Sequence, residues 1–207
     1  MIMVDINIDI DKYKLPKNNY YRTAKKKTQI VVGNTFSNSM QHYNGWLTRC
    51  GGEYKETAAF TISAGGKIFQ HYDPKYFSTF LSIKKANENI IPIVIENEGW
   101  LTKEGDKFYT WVGNEYGKPD SVLKRSWRNH EYWAPYNTKQ LNALVRLIKY
   151  LSDKFSIPLQ TIGHNTKVDD IYEYKGVVFR SNYLKHCTDL SPAWDYNIFK
   201  NKLEHYE

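Results

Sequence analysis

The sequence predicts an α/β fold, a single domain with a central mixed β-sheet flanked by helices. Three observations carry that expectation. Residues 28–32 form a short apolar strand, and 90–95 are a nearly continuous apolar run of the kind a sheet buries on both faces. Residues 58–73, AAFTISAGGKIFQHYD, read as two strands around a turn at Ala64-Gly65-Gly66. Residues 138–155 repeat Leu141, Leu144, Val145, Ile148, Leu151 and Phe155 at helical spacing. At 207 residues, with 41% hydrophobic and 25% charged side chains, the chain can bury one core and is too apolar for disorder.

Taken in order, residues 4–10 alternate, with Val4, Ile6, Ile8 and Ile10 on one face and Asp5, Asn7 and Asp9 on the other. That is a strand with one wet face, and its apolar face needs a neighbour. A basic connection follows to Lys27, so residues 1–27 read as an N-terminal strand and arm and residues 28–207 as the domain proper. Residues 36–49 predict a helix with Met40, Tyr43, Trp46 and Leu47 on one side, ended by Cys50-Gly51-Gly52. The long helix has Asn137 in N-cap position with Gln140 three residues on, the spacing of a capping box. Pro158 closes that segment, 159–163 and 176–179 return to the sheet, and a last helix starts near Asp195 with Ile198, Phe199 and Leu203.

Lys and Arg outnumber Asp and Glu by 29 to 22, a net charge of +7, with Lys25-Lys26-Lys27 the densest run. The excess favours an anionic partner, but no zinc-finger spacing or aromatic RNA-binding signature accompanies it, so nucleic acid stays a minor reading. Cys50 and Cys187 stand too far apart to imply a disulfide framework, which suits a reducing compartment. The acidic N-terminus and the lack of a long apolar run predict neither a secretion signal nor a membrane span. The 17 Tyr and 6 Trp suit sugar, peptide or protein surfaces.

The six histidines show no HExxH or other metal spacing. What stands out is the order of IVVGNT (30–35), the 58–73 hairpin, IIPIVIENEGW (90–100), IPLQTIGHN (157–165), GVVFRSNY (176–183) and TDLSPAWD (188–195). Together they resemble the zinc-dependent N-acetylmuramoyl-L-alanine amidases, whose fold is shared with peptidoglycan recognition proteins. The resemblance spans about 28–204 and leaves the arm outside it.

What the resemblance implies is a groove for peptidoglycan or muropeptide and a zinc ion that activates water against the lactyl amide. Carried over residue by residue, the family's first ligand falls on Gly33, with Asn34 and Thr35 kept after it. The second falls on Arg180 and the third on Asp189. A catalytic Tyr falls on Ala58, its neighbouring His on Ala59, and an oxyanion-stabilising Lys on Cys187. Glycine offers no side-chain ligand and arginine is a permanent cation, so the zinc site reads as vacated, with Arg180 and Asp189 expected to pair. The expected function is a non-catalytic amidase-fold protein of phage origin, needing no cofactor. It would bind peptidoglycan or serve as a tail or baseplate module among other phage proteins, in the virion or the host cytoplasm. Asn34, Thr35, Trp100, His164 and Trp194 are its expected groove residues. The alternative is an active amidase with zinc on a rearranged set, His164, His186, Cys187 and Asp189.

Overall fold

The computed structural model describes residues 6–81 and 83–205. The chain runs through β1 (Ile8–Asp9), β2 (Gln29–Asn34), α1 (Ser39–Thr48), β3 (Phe60–Ile62) and β4 (Ile68–Gln70). It continues with α2 (Lys84–Asn87), β5 (Ile90–Ile95), β6 (Trp100–Glu104), β7 (Lys107–Thr110), β8 (Leu123–Trp127) and β9 (His130–Trp133). Last come α3 (Thr138–Phe155), β10 (Gly176–Phe179), α4 (Arg180–Tyr183) and α5 (Tyr196–Glu204). No helix among them is long and apolar enough to cross a membrane.

The main sheet has six strands in the order β1-β4-β3-β5-β2-β10, and only β3 with β4 is antiparallel. Every residue of β2, β5 and β10 is buried, including the polar Gln29 and Asn34 at the two ends of β2. Pro92 sits inside central β5, where a missing N–H normally breaks the ladder. Its carbonyl faces the Ala59 N–H (2.9 Å), one residue before β3 begins, so the lost donor falls at the edge of that pairing. Helix α3 lays Leu141, Leu144, Val145, Ile148 and Leu151 into the core, and its capping box between Asn137 and Gln140 is formed in both directions.

Several sequence expectations need correcting. Helix α1 starts at Ser39 with Asn38 as N-cap, which turns Met40 outward at 56% exposure and leaves Trp46 to fill the core. On α5, Phe199 and Leu203 are buried but Ile198 faces solvent. Of residues 159–163, Thr161 alone bridges the sheet, through Val177. In the arm, Val4 and Asp5 lie outside the described residues. Ile6 and Ile8 pack on the core and β1 adds in parallel to β4, but Ile10 is exposed. The cause is local: the Asp9 carboxylate accepts from the N–H groups of Asp11 and Lys12 and turns the chain there. Beyond that turn the arm is stitched to the domain. Leu15 and Asn19 are buried, the Asn19 amide donates to the carbonyls of Trp46 and Tyr54, and Tyr21 bridges Phe77.

A second sheet occupies 100–133, a stretch in which the sequence pattern predicts no element. It is antiparallel, in the order β7-β6-β9-β8, with Trp133 and Leu101 turned inward and most of β8 exposed. Its tight turns use left-handed backbone at Gly105 (φ 58°) and at Arg128 and Asn129 (φ 47° and 65°).

Candidate functional site

Parallel strands concentrate chemistry at their carboxyl ends, and here β2, β5 and β10 end side by side. The register that pairs Phe179 with Val32 sets Arg180, the first residue of α4, beside Gly33. From the loop after α4, Asp189 reaches back under both. Its Oδ2 accepts from Arg180 Nε (2.8 Å) and from the Asn34 backbone N–H (3.0 Å), and its side chain is only 1% exposed. The Arg180 guanidinium lies 5.1 Å from the centroid of the Phe80 ring.

The role of Gly33 is visible in this packing. A Cβ there would stand inside contact distance of Asp189 Oδ2, 3.3 Å from Arg180 Nε and 3.4 Å from Phe80 Cζ. The absent side chain is what admits the ion pair. Thr35 acts structurally, since its hydroxyl accepts from the Asn97 N–H (3.2 Å) and donates to the Ser37 carbonyl.

Above the pair opens a cleft of about 990 Å³, walled by residues such as His42, Arg49, Glu96, Glu98, Trp100 and Trp111. Burial works to lower the Arg180 pKa, but the Asp189 charge and hydrogen bond together with smaller contributions from neighbouring groups outweigh it and the net shift is upward, so the cation persists. Burial drives His42 down to about 3, helped by the Arg180 charge, which keeps its imidazole neutral. Burial also pushes the Cys187 thiol up to about 11, so it is no thiolate at neutral pH. Glu98 is raised by burial and by the neighbouring Glu96 charge.

Of the expected site residues, Gly33, Arg180 and Asp189 come together, and Asn34, Thr35, Trp100, His186 and Cys187 line the cleft. Trp100 has one face taken by His130, stacked at 4.3 Å. Ala58 and Ala59 are wholly buried and do not reach the cleft. Two groove assignments are corrected. Trp194 is 3% exposed because it packs edge-on to Tyr136 and against Phe199. His164 stacks on Tyr196 at 5.3 Å and meets Phe179, away from the cleft. The rearranged ligand set fails with it: among the described residues no three His, Cys, Asp or Glu side chains converge to hold a metal.

A zinc ion of the kind the resemblance implies therefore does not fit these residues. One Asp189 oxygen is committed to two N–H donors, Gly33 supplies no side-chain ligand, and Arg180 sets a permanent positive charge against the one remaining carboxylate. Sequence patterns do not single out Arg49, His42, Trp111 or the pair Glu96 and Glu98. The two glutamates stand in the IENEGW run at a strand end, where position alone could have flagged them. For Trp111, which crosses the cleft to donate to the Phe36 carbonyl at 2.7 Å, no local signal exists.

The sequence profile of the N-acetylmuramoyl-L-alanine amidases matches residues 23–175, which takes in Gly33 and stops short of Arg180 and Asp189. No curated protein matches the chain. Among solved structures, the amidase LysC from Clostridium intestinale URNW is similar at TM-score 0.52 and 14% identity, over 97% of this chain and 99% of its own. A mutant endolysin from Bacillus subtilis gives 0.54 and 18%, over 96% and 99%. The amidase AmiD from E. coli, in complex with the substrate anhydro-N-acetylmuramic acid-L-Ala-D-gamma-Glu-L-Lys, gives 0.54 and 16%, over 93% and 66%.

Proposed function

Because the chain belongs to the N-acetylmuramoyl-L-alanine amidase family, we propose that it binds the peptide part of peptidoglycan in its cleft without hydrolysing it. The observation that carries this reading is the Gly33, Arg180, Asp189 packing, in which an ion pair occupies the space that a side chain at position 33 would need. Amide hydrolysis needs an activated water and a stabilised oxyanion. The positions that the resemblance assigns to those roles hold Ala58, Cys187 and Arg180. AmiD, similar in fold, binds a muramoyl tripeptide, and the cleft here is roomy enough for a few peptide and sugar units. A virion tail or baseplate module that touches the cell wall is the setting such a binder suits.

The test is to incubate the protein with purified sacculi and measure pelleting together with release of new amino termini, and to determine metal content after dialysis. The reading expects pelleting, no release above a heat-killed control, and no stoichiometric zinc. Chelator-sensitive release would overturn it.

One observation favours a second reading, hydrolysis by this chain. Glu96 and Glu98 share the cleft, and two neighbouring carboxyls, with Glu98 raised by burial and by the Glu96 charge, are the pattern of a general acid and base pair. Release that survives chelator and is abolished by Glu96→Gln would establish it.

A further inference from the structure

The ion pair leaves part of Arg180 unspent. Only its Nε is engaged, with Asp189. The two terminal nitrogens have no hydrogen-bond partner among the described residues and are not sealed off, since a fifth of the side chain is exposed and lines the cleft. Asp189 and the Phe80 ring fix the guanidinium plane, so its outer edge is presented in one orientation. Arg49 lines the same cleft, its guanidinium 5.3 Å from the centroid of the Tyr54 ring, and the charges of both arginines lower the pKa of the half-buried His42. Asp189 neutralises one of the two cations, and Glu56, which also lines the cleft, accepts from the Tyr54 hydroxyl at 3.0 Å. The acidic residues Glu96 and Glu98 follow β5, two strands across the sheet from Arg180, about 10 Å at ordinary strand spacing. Two arginines thus stand at the β10 and α1 side of the cleft, across the sheet from Glu96 and Glu98.

We propose that the outer edge of Arg180, supported by Arg49, is a receptor for a carboxylate of the bound peptide. A fixed fork of parallel N–H donors matches a carboxylate and discriminates against the carboxamide of the same shape. This rests on the peptide-binding reading above and adds to it: the protein selects wall peptides whose glutamyl carboxylates are free over those that are amidated.

The test uses the full chain and two synthetic probes, N-acetylmuramoyl-L-alanyl-D-glutamate as the free diacid and the same compound as its diamide, by calorimetric titration. The diacid should bind about 10- to 100-fold more tightly than the diamide, the value of one charge-assisted contact. Arg180→Lys, which keeps the charge beside Asp189 but loses the fork, should erase most of that ratio. Arg49→Gln, an exposed change that leaves the fold intact, should reduce it about threefold. Equal affinity for the two probes in the unaltered protein would overturn the carboxylate receptor while leaving peptide binding in place. An unchanged ratio in both variants would do the same. Failure of both probes to bind, with no pelleting of sacculi, would overturn the binding reading and this inference together.

Discussion

The six-stranded sheet buries every residue of β2 and β5, whereas the four-stranded sheet leaves most of β8 in water and turns only a few side chains such as Leu101 and Trp133 inward. Both border the same cleft. The inner sheet contributes the floor, where Asp189 is held by two donors in a dry setting and small shifts are costly. The outer sheet contributes a wall of Trp100 and Trp111 whose outer face is free to vary. One residue ties them. Arg128, on the turn between β8 and β9, donates to the carbonyls of Leu184 (2.8 Å), Ser181 (3.0 Å) and Cys187, and so pins the loop that carries Asp189 to the outer sheet. The lesson is a division of labour, in which a rigid layer holds chemistry in place and a looser one shapes access to it.

If that contrast is right, the largest loss comes from the floor. Asp189→Ala strands the Arg180 cation against buried surface and should cost about 3–5 kcal/mol in denaturant unfolding. A cost under about 1 kcal/mol would mean the floor is no more fixed than the wall.

Acid should act next, and on the inner sheet. His71 is 1% exposed, with Nδ1 on the Tyr13 carbonyl and Nε2 on the Thr61 hydroxyl, both at 2.7 Å. Burial lowers its pKa from 6.5 to about 4. The unfolded chain binds that proton more readily, so stability is complete above pH 6.5 and falls as pH drops toward 4, by roughly 3 kcal/mol from this residue. Unfolding curves between pH 7.5 and 4 should flatten in His71→Gln, and a profile as steep as the parent's would assign the acid sensitivity elsewhere.

The tie between the layers is worth less. Arg128→Ala should cost about 1–3 kcal/mol, because three carbonyls lose a charged donor in a half-exposed setting. Hydrogen exchange sharpens the point: amides of 181–187 should exchange faster while those of β2 and β5 do not. Uniform acceleration would show the two sheets to be one cooperative unit. Smallest of all, Val112→Ser on the exposed rim should fall within about 0.5 kcal/mol of the parent.

The same contrast explains what the sequence disclosed. Strand β5 is legible because burial on both faces leaves an unbroken apolar run, β2 from its Ile30-Val31-Val32 centre, and α3 because its stripe and capping box agree. The outer sheet is not, since its exposed strands carry residues such as Lys124 and Arg125 and bury too little to impose a period. The meeting of Gly33, Arg180 and Asp189 was expected from the family resemblance, not from spacing, because the three lie on separate segments. Trp194 and His164 were misplaced for a related reason: an aromatic in a family motif looks the same in sequence whether it faces a groove or the core.

Gly33 also governs which changes the chain can accept. A side chain there is excluded while Asp189 and Arg180 keep their places, and if Arg180 leaves alone the buried Asp189 charge loses its partner. The three positions are mutually locked, so altering any one of them first passes through a destabilised protein.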